Sequence, residues 1–274
     1  MEPADLYLDL MKRCLTRLAF LDQEWRPTAP RPGRSPRAIF SRWLRRRWAE
    51  NGLAVMAAPS VDVERRRCGG DWPPFAETMI GLHRLDNLQH CIKIVLHDRI
   101  PGDLIETGVW RGGATIFMRA ALEAYGDRER TVWVADSFQG LPRPNAGYPA
   151  DAGDLLWAVQ LLAVSLDEVK RNFMRYGLLD DRVKFLAGWF KDTLATAPIT
   201  DLALLRLDGD LYESTMDALT ALYPKLSPGG FLIIDDFDAM PPSRQAVEDY
   251  RAAHDITEPV ELINRGGVFW RKKS

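Results

Sequence analysis

Three aspartates close two apolar runs in the second half of the chain. Leu202–Leu207 (LALLRL) runs into Asp208, and residues 231–234 (FLII) run into Asp235 and Asp236. Short apolar runs of this kind read as strands buried in a parallel sheet. Ligands of such sheets bind beyond the carboxyl ends of the strands. Carboxylates gathered there repel one another unless a proton or a cation lies between them. A hard divalent ion answers that repulsion, and magnesium takes carboxylate oxygens together with substrate oxygens. Asp208, Asp235 and Asp236 are therefore the expected metal ligands. Asp210 competes with Asp208 for that place only if the strand continues to 210, and Gly209 favours a turn instead.

A second group of residues suits a nucleoside. The strand reaching Glu106 leads into Thr107, Gly108, Val109, Trp110, Arg111, Gly112 and Gly113. Its glycines let the backbone turn sharply and approach a ligand closely. The third glycine of a G-x-G-x-x-G fingerprint is missing, which argues against a bound diphosphate. Asp136 ends the next strand, where an acid that reaches a ribose is expected. A glycine turn plus a ribose acid, without a phosphate pattern, suits an adenosine ligand that lacks phosphates. Gly188, Trp189 and Phe190 follow a later strand; their rings serve either an adenine or the core.

From Asp103 onward strands and helices alternate, as in a doubly wound α/β sheet. Strands are predicted at 103–106, 131–135, 183–186, 202–207 and 231–234, and helices at 113–124, 166–176, 214–223 and 243–254. Ser165 with Glu168 is a capping box, and Gly177 ends the helix it opens. The closing VELI, an Arg-Gly-Gly turn and VFW predict a hairpin that inserts one antiparallel strand at the sheet edge. Residues 141–164 interrupt the alternation with a long Pro-, Gly- and Asp-rich segment, which reads as part of a lid.

The N-terminal part has a different character. Residues 1–20 predict an amphipathic helix with Leu6, Leu10, Leu15 and Leu18 on one side, and 26–37 a Pro/Arg-rich linker. Phe40, Trp43, Leu44 and Trp48 then recur at helical spacing among arginines. That helix is expected to dock on its own domain or on a sister subunit; a basic face for a membrane or nucleic acid is the weaker reading, because four arginines make a small electrostatic footprint. Residues 1–70 hold 14 Lys/Arg against 8 Asp/Glu, a net of +6, within a chain whose net charge is −2. Three scattered cysteines, Cys14, Cys68 and Cys91, give no disulfide or metal framework and match a reducing compartment. The N-terminus does not read as a signal peptide, and no run approaches the ~20 apolar residues of a membrane span, so a cytoplasmic location is expected.

Five motifs taken together resemble one family. PGDLIETGVWRGG, VADSFQGLP, FLAGWFKDTL, RLDGDLYEST and IIDD occur in the order found in the macrocin O-methyltransferase family, metal-dependent sugar O-methyltransferases of antibiotic biosynthesis. The likeness spans roughly residues 75 to 270. It implies a class I S-adenosylmethionine-dependent methyltransferase fold, Rossmann-like, with a seven-stranded sheet and an antiparallel edge hairpin. It also implies S-adenosylmethionine and Mg2+ as cofactors. By the same resemblance Glu106, Thr107, Gly108, Trp110 and Gly112 form the acidic glycine motif, and Asp136 is the ribose acid, followed by Ser137 and Phe138. Gly188 and Trp189 fall at the cofactor, and Asp208, Asp235 and Asp236 fall at the metal. Residues 78–81 (TMIG) resemble the segment that folds over the cofactor, placing Thr78 and Met79 against it. The chain then divides into a helical extension and linker, 1–74, and a methyltransferase domain, 75–274, with a lid helix at 75–100.

The expected reaction is methylation of a deoxysugar hydroxyl on a glycosylated natural product. Asp208 is the expected general base, and magnesium the Lewis acid that positions two adjacent hydroxyls. The expected partners are a small-molecule glycoside and further copies of the chain, with neither nucleic acid nor membrane. Two rivals stay open at this point. Asp208-Gly-Asp210 is also the D-x-D of metal-dependent glycosyltransferases, and the chain could be a non-catalytic cofactor-binding member of the fold.

Overall fold

The computed structural model of the chain describes residues 2–23, 25–28, 32–57, 60–264 and 266–273. The chain opens with α1 (Pro3–Leu15) and then a two-stranded ribbon, β1 (Arg26–Pro27) with β2 (Met56–Ala57), flanking α2 (Pro36–Ala49). After α3 (Val63–Arg67) and α4 (Gly81–His97) the alternating part begins. It runs β3 (Asp103–Thr107), α5 (Gly113–Ala124), β4 (Val132–Asp136), α6 (Leu166–Arg175), β5 (Val183–Ala187), α7 (Phe190–Thr193), β6 (Leu202–Leu207), α8 (Tyr212–Leu222), β7 (Leu226–Ile234), α9 (Pro241–Ala253), β8 (Glu261–Leu262) and β9 (Val268–Arg271).

The sheet has seven strands in the order β5-β4-β3-β6-β7-β9-β8. The first five are parallel; β9 pairs antiparallel with β7, and β8 with β9. This is the predicted sheet with its edge hairpin, although Arg265 of the predicted turn lies outside the described residues. The chain reverses its winding between β3 and β6, which opens a crevice at their carboxyl ends.

One helix explains why the N-terminal segment belongs to the body. In α5, ten consecutive residues from Gly113 to Leu122 are buried, so the helix has little polar face and needs cover on several sides. Helix α1 supplies part of it: Leu8, Met11 and Leu15 join Phe117 of α5 and Leu85 and Leu88 of α4 in one core cluster. The predicted apolar side of α1 is therefore corrected, because Leu6 and Leu10 are 57% and 56% exposed. Lys12 sits inside the buried stripe because its ammonium pairs with Asp86 and lies over the Phe117 ring. Helix α2 buries only Ala38; Phe40 and Trp43 stack on each other at 5.9 Å on its exposed side.

Two local differences have clear causes. Strand β7 starts at Leu226, five residues before the predicted start, because Ser227-Pro228-Gly229-Gly230 is accommodated as an irregularity where the register against β6 shifts. Helix α8 starts at Tyr212, two residues early, since Asp151 from the long loop accepts hydrogen bonds from the Tyr212 and Glu213 N–H groups at 2.6 and 3.1 Å. Ser165 caps α6 as predicted, its hydroxyl accepting from Glu168 N–H at 3.3 Å. Among the described residues no helix is long and apolar enough to cross a membrane.

Candidate active site

A cavity of about 510 Å³ lies over the crevice between β3 and β6. Its floor is tight. Gly108 has φ +82°, and a Cβ there would lie 1.8 Å from the carbonyl oxygen of Asp208. Glycine is thus required by backbone conformation and by the approach of the two strand ends. Asp136, at the end of β4, accepts from the Val109 N–H at 2.8 Å and the Phe138 N–H at 2.7 Å. Those bonds fix the carboxylate and the glycine turn together. Burial raises the Asp136 pKa and the backbone donors oppose the rise.

Of the expected site residues, Thr78, Met79, Glu106, Gly108, Trp110, Asp136, Ser137, Trp189, Asp208, Asp235 and Asp236 reach the cavity wall. Thr107, Gly112, Phe138 and Gly188 stand behind it. Thr107 contributes its carbonyl to the Asp208 N–H at 2.9 Å, and Gly112 is the N-cap of α5 at φ +84°. Phe138 packs toward Phe185, and the Gly188 N–H bonds the Asp136 carbonyl at 2.9 Å. These four shape the wall and do not line it.

The segment before α4 is pinned above the glycine turn. The Glu77 carbonyl accepts from Gly113 N–H at 3.0 Å, while the Glu77 and Thr78 N–H groups bond the Leu15 carbonyl of α1. The long loop closes the other side: the Trp110 indole donates to the Leu161 carbonyl at 2.8 Å, and Ser137 donates to the Gly140 carbonyl at 2.7 Å.

Asp208, Asp235 and Asp236 each offer a carboxylate oxygen, and these oxygens lie within 4.8 Å of one another. The cation expected between these carboxylates is in part supplied by the chain itself, because two arginines share the charge. Arg206, 1% exposed on β6, donates to Glu106, to Asp208 at 2.9 Å and to Asp235. Arg84 of α4 donates to the other oxygen of Asp235. The signal for Arg206 was in the sequence, as a lone cation inside an apolar strand, which is buried only when paired. Arg84 had no such signal.

The compensation is incomplete. Glu106, Asp208, Asp210, Asp235 and Asp236 face two guanidiniums, and burial with mutual repulsion raises the pKa of several of them. Glu106 is pushed up to about 8 by burial, against the pull of Arg206. Asp210 is pushed up to about 8 by burial and then by Asp208 and Asp235. Asp236 rises well above the carboxylate range by burial and by Asp210 and Asp208. Oδ2 of Asp236 and Oε2 of Glu106 are buried with no hydrogen-bond partner among the described residues. An all-oxygen donor set, a surplus of negative charge and an orphaned ligand oxygen fit a hard dication such as magnesium.

A parallel sheet with this strand order, a glycine turn under an acid-ended β4 and a cavity over the switch point define a class I S-adenosylmethionine-dependent methyltransferase fold. Comparison with known proteins narrows it. The chain matches the family described as Macrocin-O-methyltransferase (TylF) over residues 4–272, and it belongs to that family. The match takes in the N-terminal segment that the sequence motifs did not reach, in accord with α1 packing in the core. The chain is 51% identical over 269 residues to the Streptomyces olivaceus 8-demethyl-8-(2,3-dimethoxy-alpha-L-rhamnosyl)-tetracenomycin-C 4'-O-methyltransferase, covering 97% of this chain and 92% of that protein. It is 55% identical over 213 residues to the Streptomyces niveus demethyldecarbamoylnovobiocin O-methyltransferase, covering 76% and 80%. The structure of the O-methyltransferase NovP superimposes with a TM-score of 0.84 at 46% identity, covering 99% of this chain and all of that one. The protein is an O-methyltransferase, which sets aside the glycosyltransferase and non-catalytic readings.

Proposed function

We propose that this protein methylates a hydroxyl of a deoxysugar on a glycosylated natural product, using S-adenosylmethionine and a magnesium ion. The observation that carries the reading is the convergence of Asp208, Asp235 and Asp236 beside the Gly108 turn and Asp136 in one cavity. The compounds that name the relatives, a dimethoxy-rhamnosyl tetracenomycin and demethyldecarbamoylnovobiocin, support a glycoside acceptor.

Asp208, Asp235 and Asp236 would hold the metal, which when bound supplies Lewis-acid stabilisation to an acceptor hydroxyl and a fixed direction of approach. Asp136, its orientation set by two backbone donors, would receive the ribose hydroxyls of the donor. Thr78 and Met79, on the segment tied to Leu15 of α1, would cover the donor, and the Trp110–Leu161 contact would keep the loop against it. Excluding water in this way strengthens every charge interaction inside the cavity.

The role of base moves from Asp208 to Asp210 in this reading. Asp208 is engaged by Arg206 and serves the metal. Asp210 lines the cavity at φ +54° and has no guanidinium partner among the described residues. A cavity-lining carboxylate left free of the guanidiniums would be available to accept the acceptor hydroxyl's proton. Asp210→Asn should lower kcat by about 10²–10⁴-fold with little change in donor KM. Turnover with S-adenosylmethionine, magnesium and a panel of glycosides, followed by mass spectrometry, tests the whole reading. No methylated glycoside from any acceptor would overturn it.

The chain is also proposed to self-associate through the exposed Phe40–Trp43 face of α2. Sedimentation should show an oligomer that Trp43→Glu dissociates, and a monomeric wild type would refute the contact.

A further inference from the structure

The segment that covers the donor and the helix that touches the metal site are one continuous piece of chain. Residues 77–80 are pinned between α1 and the glycine turn, and α4 starts at Gly81 directly after them. The junction has no slack: Gly81 has φ +77°, and a Cβ there would meet the Gly69 nitrogen at 2.3 Å and the Arg67 carbonyl oxygen at 2.5 Å. Arg84 lies in the first turn of α4, where any displacement of 77–80 is passed on by a rigid helix.

The far end of Arg84 is equally constrained. Its Nε donates to Asn264 Oδ1 at 3.2 Å, next to the closing hairpin, and one terminal nitrogen donates to Asp235. Gly266 and Gly267 leave the space it occupies; a Cβ on Gly266 would lie 2.5 Å from Arg84 Nη2. The guanidinium fork is thereby fixed in one plane. Asp235 takes Arg84 on one oxygen and Arg206 on the other, so the two arginines set the direction of its remaining lone pairs. Of these two, only Arg84 sits on an element that also bounds the donor segment.

We propose that Arg84 is a positioning residue that couples occupancy of the donor pocket to metal affinity by orienting Asp235. The coupling rests on the donor and metal reading given above, and adds to it a linkage between the two ligands. A bound donor adds its own restraint to residues 77–80, the tight junction passes that restraint through α4 to Arg84, and Asp235 is presented to the ion with its lone pairs aligned. By reciprocity the ion tightens donor binding by the same factor.

Mn2+ binding to the full chain, read from the electron paramagnetic resonance signal of the free ion, tests this with and without saturating S-adenosylhomocysteine. Wild type should bind Mn2+ at least about fivefold more tightly when the homocysteine product is present. In Arg84→Gln that ratio should fall to within about twofold of one. Calorimetry without metal should show wild-type affinity for S-adenosylhomocysteine, which also establishes that the variant is folded. Arg84→Lys, which keeps the charge but loses the planar fork, should behave like the glutamine variant, because geometry carries the effect. A wild-type ratio near one, a lysine variant that keeps the wild-type ratio, or a glutamine variant that does so, overturns the coupling. Failure of wild type to bind either probe would instead bring down the donor and metal reading beneath it.

Discussion

Replacing Arg206 by methionine removes the one cation shared by three carboxylates, and the cost can be sized. Arg206 is 1% exposed, and Glu106 and Asp235 beside it are nearly as buried. Removing one partner of a buried pair costs about 3–5 kcal/mol, since the charges left behind lose their main compensation and only Asp235 keeps a guanidinium, that of Arg84. For a chain of this size each kcal/mol shifts the melting midpoint by about 2 °C, so the variant should melt about 6–10 °C lower at pH 8. The deficit should depend on pH with a definite sign. Glu106, Asp235 and Asp236 have pKa values raised by burial in the folded state, so folding takes up protons there. Stability contributed in this way grows as pH falls from the raised values toward the ordinary carboxylate range. Without Arg206 the rise is larger, and the deficit should shrink at pH 5.5. Thermal unfolding followed by circular dichroism, in chelator, at both pH values measures it. Magnesium at pH 8 should restore more of the midpoint in the variant than it adds to wild type, because carboxylates no longer neutralised by Arg206 bind the ion more tightly; a hundredfold excess over Kd contributes about 2.7 kcal/mol. A midpoint within about 2 °C of wild type at pH 8 would refute the reasoning, as would a deficit that grows on acidification.

Three further outcomes are expected. Asp235→Asn should lose Mn2+ binding and magnesium-dependent turnover while keeping S-adenosylhomocysteine affinity; calorimetry with each ligand checks this, and turnover in chelator would contradict it. Gly108→Ala places a methyl group 1.8 Å from the Asp208 carbonyl oxygen at a positive φ, so it should lower the melting midpoint and abolish donor binding together. Glu123 is held down at about 2 by Arg128 first, then Arg119 and Arg182. The stability it contributes is present above its ordinary value near 4.5 and is lost as pH falls toward 2, so Glu123→Gln should lower the midpoint at pH 7 and leave it unchanged near pH 2.

The fold was legible because its signals are local. Two strands end in aspartates, Ser165 caps α6, Gly177 follows it, and the closing hairpin carries its own turn residues. The carboxylate side of the site was legible for the same reason, since strand ends share one edge of a sheet. Its cationic side was not. Arg84 meets Asp235 across 151 positions of sequence, and nothing in its own neighbourhood marks it. The buried face of helix α1 is not legible locally, because Lys12 lies within it while Leu6 and Leu10 are exposed; the pairing of Lys12 with Asp86 is a tertiary fact. Strand β7 was shortened because Ser-Pro-Gly-Gly carries turn chemistry, which the sheet tolerates at a register shift.

The long loop is fastened at Asp151, through the head of α8, and again at Leu161, through Trp110. Between those rivets the span 152–160 bonds chiefly to itself, and Leu155 stands 70% exposed. Such a stretch has few ties to the sheet beneath it. A change of residues there would leave both anchors, and the strand ends beneath them, in place.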